Sequence, residues 1–174
     1  MSHFRTLALL PLLGLFLLQT GCQGYKLGSQ LPDDIKTVYV PTVLNETNEP
    51  LLEGQITKAV MDRLQRDGSL KISNEQEADA ILYVTVNAYK TNPLTYESSN
   101  TARPDEYLLT IGASIELVRR ESGATIVKST GLQGQDEFAL VGDLTNAKSN
   151  ALPDAADDLA RYIVAAVTES WPAL

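Results

Sequence analysis

Two stretches of period-two alternation constrain the fold of this chain more than any other feature of its sequence. From Ala80 to Lys90, apolar side chains alternate with polar or aromatic ones, and the pattern returns from Tyr107 to Val118. Successive side chains of a strand point to opposite faces of a sheet, so each stretch predicts a strand with one buried face. A third strand is predicted from Ala124 to about Gln133, where Gly131 and Gly134 favour a bend or bulge and the weaker apolar pattern favours an edge position.

The alternation also assigns side chains to faces. In the first predicted strand the inward side chains are Ala80, Leu82, Val84, Val86 and Ala88, and the outward ones are Tyr83, Thr85, Asn87 and Tyr89. In the second, the shared apolar face consists of Tyr107, Leu109, Ile111, Ala113, Ile115 and Leu117. Both apolar faces are expected to pack against helices, which leaves the outward set on the opposite face of the sheet.

Two amphipathic stretches predict the helices that cover this sheet. The first runs from Pro50 to Asp67, with apolar side chains at helical spacing and a glycine directly after it. The second runs to Trp171, and Asp143 is placed to cap its beginning. Pro153 would then kink that second helix or divide it.

Shorter segments complete the predicted order. Ile35 to Val43 is rich in residues that favour extended structure, and a short strand is expected from Leu70 to Ser73. The order is strand, helix, four strands, helix, which predicts an α+β fold. We expect a two-layer sandwich, with both amphipathic helices packed on one face of a mostly antiparallel sheet of four to five strands. The polar stretch from Thr91 to Asp105 is predicted to be a long loop.

An apolar run that ends near the single cysteine marks the N-terminus. Arg5 precedes the run, and the twelve residues Leu7–Leu18 are fewer than the roughly 20 that a membrane-spanning helix needs. Residues 1–21 are therefore predicted to be a secretory signal peptide. The sequence Thr20-Gly21-Cys22 resembles the lipobox of bacterial lipoproteins, although Gln19 stands where a leucine is usual.

The lipobox resemblance implies that Cys22 is lipid-modified and becomes the first mature residue. Three acyl chains would hold it in the membrane almost permanently, since one chain alone binds only marginally. Gln23 replaces the aspartate that retains many lipoproteins in the inner membrane, which implies a lipid anchor in the outer membrane on its periplasmic side. Residues 22–34 would form a lipidated tether and residues 35–174 a single α+β domain. Ordinary secretion with a free Cys22 is the alternative.

The residue inventory leaves little room for catalysis. The only histidine, His3, lies in the predicted signal peptide, and the only cysteine is Cys22. The mature chain therefore lacks the residues of histidine–cysteine metal sites and of histidine-dependent triads. No paired-acid motif, phosphate-binding loop or zinc spacing is present, so we predict no enzyme activity, catalytic residue, metal or cofactor. The net charge of −8, or −9 once Arg5 is removed, disfavours nucleic-acid binding.

Ligand or partner contacts are expected where aromatic and basic residues stand outside the predicted core. Tyr96 and Arg103 lie in the predicted loop, Arg119 and Arg120 lie at a hairpin turn, and Lys128 follows on the third strand. Arginine is common where phosphate or carboxylate is bound, so these five residues are the candidate contacts. A solvated loop and a solvated turn are the alternatives.

An ordered set of short motifs resembles the LptE family of lipopolysaccharide-assembly lipoproteins. The motifs are Ile35-Lys36-Thr37-Val38-Tyr39-Val40-Pro41, Asn45-Glu46-Thr47, Glu49-Pro50, Leu64-Gln65-Arg66-Asp67-Gly68, Ala78-Asp79-Ala80, Glu106-Tyr107 and Asp158-Leu159-Ala160-Arg161 through Trp171. Where that family often has tryptophan after the hairpin turn, this chain has Ile126.

The resemblance implies a small outer-membrane lipoprotein without catalytic residues. Such a protein sits inside the LptD β-barrel as a plug, assists barrel assembly and contacts lipopolysaccharide during its delivery to the cell surface. Two other classes stay open. One is a periplasmic lipoprotein adaptor that activates an envelope enzyme or joins a secretion pore, and the other is a carboxylate-based envelope hydrolase.

Overall fold

The computed structural model describes residues 31–97 and 100–169, and for residues 95–97 and 100–103 the backbone alone. Within these residues eight elements follow one another: β1 (Thr37–Tyr39), β2 (Leu44–Asn45), α1 (Leu52–Asp67), β3 (Lys71–Ile72), β4 (Ala80–Glu97), β5 (Asn100–Arg119), β6 (Thr125–Ala139) and α2 (Leu144–Thr168). The strands form one sheet in the order β3-β1-β4-β5-β6, with β2 also beside β4.

The first strands build the parallel part of the sheet. β1 pairs in parallel with both β3 and β4, and β2 pairs in parallel with β4 farther along. The prediction of one strand from Ile35 to Val43 is therefore wrong in its bounds, because β1 ends at Tyr39 and β2 begins at Leu44. Pro41 lies in the interruption, and it has no backbone N–H to donate to a neighbouring strand.

The later strands build the antiparallel part. β5 pairs along nearly its whole length with β4 on one side, and from Glu106 to Val118 with β6 on the other. Both helices lie on one face of the sheet, and their buried side chains join those of the strands in one core. The predicted α+β two-layer fold is confirmed, with a mixed sheet of six strands in place of the expected four to five.

A β-bulge in β4 reverses the predicted orientation of Tyr89. Val86 pairs with Ala113 but Ala88 pairs with Gly112, so Asn87 is an extra residue on β4. Beyond the bulge, Tyr89 pairs with the fully buried Ile111 and packs against the core on the helix-covered face. The prediction that Tyr89 faces outward is therefore wrong, because one inserted residue exchanges the two faces of every residue after it. Tyr83, before the bulge, does face outward and is 47% exposed.

The long loop predicted from Thr91 to Asp105 is also wrong. β4 continues to Glu97 and β5 begins at Asn100, so most of that stretch is a β-hairpin. Its pairing contains several register shifts after Pro93. The prolines indicated a loop in the sequence, but this part of β4 pairs with β5 alone among the described strands, and edge positions tolerate proline.

Two glycines in β6 have different structural roles. β6 extends to Ala139, well past the predicted end, and it is an edge strand as expected. Gly131 has φ of +73° and lies at a register shift, which confirms the expected bulge. Gly134 instead lies directly against the backbone of α2: a β-carbon there would be 2.3 Å from the Leu159 amide nitrogen. The bare glycine backbone thus allows the helix to approach the strand.

The C-terminal helix is continuous through its proline. Asp143 caps α2 by accepting a hydrogen bond of 3.0 Å from the Asn146 amide, as predicted. Pro153 lies inside the helix and does not divide it. Asp158, farther along α2, accepts a hydrogen bond from the Gln135 amide at 3.0 Å and so occupies a donor on the outer edge of β6. Trp171 lies outside the described residues.

Candidate functional site

The three basic candidates near the β5–β6 turn each pair with a carboxylate. Arg119 forms an ion pair with Asp34, and Lys128 lies 3.7 Å from a Glu116 oxygen. Arg120 lies 3.6 Å from a Glu121 oxygen and donates from Nε to the Ala78 carbonyl oxygen at 2.7 Å. A phosphate ligand would therefore have to compete with an acidic side chain at each of these cations.

The same three cations do not form one cluster. Lys128 pairs across the strands with Glu116, which lies between the inward-facing Ile115 and Leu117, so Lys128 is on the open face of the sheet. Arg119 ends β5 and reaches the N-terminal segment at Asp34. Their hydrogen bond lowers the pKa of Asp34 and raises the pKa of Arg119. The structure therefore separates the predicted patch into small, locally neutral pairs, and a ligand role for these residues stays a prediction.

The remaining predicted site residues fall outside what the structure describes. The backbones of Tyr96 and Arg103 belong to β4 and β5 in the distal half of the hairpin, but their side chains are not among the described atoms. Cys22 also lies outside the described residues. Their proposed roles as partner contacts and as the lipidation site therefore stay predictions.

The Asn45-Glu46-Thr47 motif organises the turn that leads into α1. The Asn45 side-chain oxygen accepts hydrogen bonds from the Thr47 amide at 2.9 Å and from its hydroxyl at 2.7 Å. The Asn45 side-chain nitrogen donates to the Glu49 carbonyl oxygen at 2.8 Å and to Glu53 of α1 at 3.2 Å. One asparagine thus joins β2 to the start of the helix, which is a structural role rather than a ligand site.

Asp79, in the Ala78-Asp79-Ala80 motif, connects the starts of β1 and β4. One of its carboxylate oxygens accepts three hydrogen bonds, from the amides of Lys36 and Thr37 at 3.0 and 2.9 Å and from the Thr37 hydroxyl at 2.7 Å. These bonds, with the Thr37 hydroxyl contributing most, lower the pKa of Asp79. The network fixes β1 against β4 at the end of the sheet where the N-terminal segment enters.

A cluster at the N-terminal half of α2 was not predicted from the sequence. The Lys148 ammonium lies 3.0 and 3.2 Å from the two carboxylate oxygens of Glu49 and 5.2 Å from the centre of the Tyr89 ring. Burial, and then the charge of Glu49, raise the pKa of Tyr89 to about 12. The cluster depends on the bulge that turns Tyr89 inward, and alternation alone gives no signal for that bulge.

A cleft opens between the last residues of β6 and the first turns of α2, and we call it the β6–α2 cleft. Its volume is about 270 Å³. The lining includes the apolar residues Phe138, Val141, Ala147 and Ala151 and the acidic residues Asp136 and Asp154. No sequence pattern indicates this cleft, because its two walls come from elements that only the chain's folding brings together.

In the described part of the chain, neither a group of metal-ligating side chains nor a membrane-spanning helix is found. Within residues 31–97 and 100–169, no group of three or more histidine, cysteine, aspartate or glutamate side chains is arranged to hold a metal ion. Neither helix of that part is both long and apolar enough to cross a bilayer.

A match to a family model defines the class of protein, which is that of the lipopolysaccharide-assembly lipoproteins. A family model described as "LptE: Lipopolysaccharide-assembly" matches residues 35–167 of the chain. The chain belongs to the LptE family. None of the curated proteins matches it.

Solved structures resemble this chain at low sequence identity. A protein from Xanthomonas campestris is 11% identical with a TM-score of 0.52, and the match covers 78% of this chain and 85% of that one. An uncharacterized lipoprotein B from Nitrosomonas europaea is 17% identical with a TM-score of 0.48, covering 82% and 92%. A minor lipoprotein from Acinetobacter baumannii is 17% identical with a TM-score of 0.48, covering 74% and 88%.

Proposed function

We propose that this chain is lipid-modified at Cys22, resides in the outer membrane and plugs an LptD-like β-barrel during lipopolysaccharide delivery. The observation that carries the proposal is the family match over residues 35–167, which spans most of the chain. Members of this family are non-enzymatic assembly proteins, and we propose the same for this chain. A binding role also agrees with the structural roles of Asn45 and Asp79, which hold elements of the fold together.

The fold supports one orientation of the proposed plug relative to its lipid anchor. The N-terminal segment enters at the end of the sheet where Asp34 pairs with Arg119, and β4 and β5 pair as far as Glu97 and Asn100 at the opposite end. β5 has 20 residues, so at about 3.4 Å per residue the two ends are roughly 65 Å apart. The tether from Cys22 to Leu31 spans at most about 30 Å, so the hairpin extends away from the anchored end.

The hairpin is accordingly our proposed barrel contact, with Tyr96 and Arg103 as its candidate residues. Lipopolysaccharide would be a weaker second ligand, since a net charge of −8 repels a polyanion at long range. Any direct contact through Arg119, Arg120 or Lys128 would have to replace a carboxylate partner. Arg119→Glu with Arg120→Glu should therefore change lipopolysaccharide binding little at physiological salt. A large loss of binding with an unchanged thermal melt would instead indicate that these basic residues do bind lipopolysaccharide.

Native co-purification tests the main proposal. The tagged full-length chain is crosslinked in intact envelopes and isolated, and LptD is expected as the main partner. Mass spectrometry of the N-terminal peptide should show a lipid-modified Cys22, and Cys22→Ser should release soluble periplasmic protein. Recovery of a different envelope protein in place of LptD would favour the adaptor class. An unmodified Cys22 would refute the lipid anchor.

A further inference from the structure

The β6–α2 cleft has an apolar wall that is partly exposed. Phe138 lies in the cleft, and its ring stacks on the Tyr107 ring with centroids 5.7 Å apart and planes 16° from parallel. Val141 also lines the cleft and is 79% exposed. Large apolar side chains left open beside a cavity are typical of a surface that a partner covers.

The acidic side of the same cleft has no compensating charge. Neither Asp136 nor Asp154 forms an ion pair with any lysine or arginine in the described parts of the chain. Nearby cations on α2 are already engaged, since Lys148 pairs with Glu49 and Arg161 pairs with Asp158. Burial, and next the negative charge of Asp154, raise the pKa of Asp136. Two carboxylates thus face one cavity at a cost in free energy that a cation would remove.

We propose that the β6–α2 cleft receives an arginine side chain of the barrel partner, its guanidinium between Asp136 and Asp154 and its aliphatic stem on Phe138 and Val141. Arginine fits because its planar group binds carboxylates through several donors while its stem packs on apolar surface. Lipopolysaccharide does not fit, because its phosphates would be repelled by both aspartates. This inference rests on the proposed function, since it names a contact of the same barrel complex.

The position of the cleft agrees with that role. Ala139, at the end of β6, pairs with Glu106, and Asp136 pairs with Leu109, so the cleft extends from the middle of β5 toward the hairpin end of the sheet. The cleft therefore opens on the half of the sheet nearer to the hairpin, between the middle of β5 and the hairpin's distal end. A plug held by its lipid at the other end would leave this half free to engage the barrel.

The proposed contact predicts a combination of results that a purely structural role would not give, which is weaker binding to the barrel without a loss of stability. Asp136→Asn with Asp154→Asn removes a repulsion in the free protein, so its melting temperature should be equal to or above that of the parent. The same change removes the charge that the arginine pairs with, so binding to the barrel should weaken roughly tenfold or more. Asp154→Asn alone, at an exposed helix position, gives a smaller loss with little effect on folding.

The test uses the full-length lipoprotein co-expressed with its LptD and purified in detergent, with barrel retention measured over a range of salt concentrations. The matched control is Asp33→Asn with Glu75→Gln, which changes the net charge equally at exposed positions toward the other end of the sheet. A photocrosslinking phenylalanine analogue in place of Val141 should capture a barrel peptide that contains arginine.

The outcomes separate this inference from the proposed function. Weak retention of the cleft variant with a melting temperature at or above that of the parent, and full retention of the control, would support the arginine contact. Equal retention of parent and cleft variant would overturn the contact while the barrel role stands. A crosslink to lipopolysaccharide or to a second copy of the chain would also overturn it. If the parent itself retains no barrel, the proposed function and this inference fail together.

Discussion

Gly134→Ala should destabilise the protein more than its size suggests. The added β-carbon would lie 2.3 Å from the Leu159 amide nitrogen, 2.4 Å from the Ala155 carbonyl oxygen and 2.5 Å from the Leu159 α-carbon. Normal contacts begin near 3.5 Å, so α2 and β6 would have to separate by roughly 1 Å. All three atoms belong to helix backbone, and no side-chain rotation can relieve the overlap.

The expected cost lies at the upper end of the range for overpacking. Inserted groups in packed cores cost about 1–3 kcal/mol, and a displaced α2 would also loosen its buried Leu159 and Ile163. A loss of about 3 kcal/mol corresponds to a melting temperature roughly 6–12 °C lower for a chain of this size. Circular dichroism melts and urea titrations of the full-length protein in detergent measure both quantities.

Two other glycines provide matched controls. Gly54 lies in α1, and a β-carbon added there would have no atom within 4 Å, so Gly54→Ala should stabilise the protein by about 0.5–1 kcal/mol. Gly131 also has open space but a φ of +73°, so Gly131→Ala should cost about 1 kcal/mol through backbone strain alone. If Gly134→Ala melts within a degree of the parent, the close approach of α2 to β6 is refuted.

Three further outcomes follow from the polar networks. Asp79→Asn keeps the shape but weakens three charge-assisted hydrogen bonds, so unfolding free energy should fall by about 1–2 kcal/mol, and an unchanged urea midpoint would contradict this. Lys148→Met should cost about 1 kcal/mol by leaving the half-buried Glu49 unpaired, whereas Lys58→Met, at an exposed ion pair, should cost under about 0.5 kcal/mol. The pKa values of Asp79, Asp34 and Asp143 are lowered in the folded chain, so the unfolded chain binds more protons in acid. Stability should therefore be lost as the pH falls below 3.8, the usual pKa of an aspartate, and the loss should be shallower in Asp79→Asn.

Some features of this protein follow from short-range pattern alone. Alternation from Ala80 to Val86 and from Leu109 to Leu117 predicts the buried faces of β4 and β5 correctly, because side-chain direction in a regular strand depends only on position along it. The spacing of Leu52, Ile56, Val60 and Leu64 predicts the buried side of α1 for the same reason.

The candidate site was less predictable than the fold. Arg119, Arg120 and Lys128 are close in sequence, and proximity suggested one basic patch. Each of them pairs with a different carboxylate in the folded chain. The partner of Arg119 is Asp34, which lies far back along the chain, and the partner of Lys128 is Glu116 on the neighbouring strand. Which charge neutralises which depends on strand pairing and register, and a local pattern does not contain that information.

Local pattern was enough for both described helices, for the three long strands without their distal ends, for most of the apolar faces, for the helix cap at Asp143 and for the family to which the chain belongs. The places where alternation breaks, and the groups that meet across the layers, became visible only in the folded chain. The bulge at Asn87 turned Tyr89 toward Lys148, and Gly134 proved to be a contact point for α2 in place of a simple bend. The physical reason is range: propensity and periodicity act over a few residues, whereas bulges, close approaches and the β6–α2 cleft depend on how distant segments pack against one another.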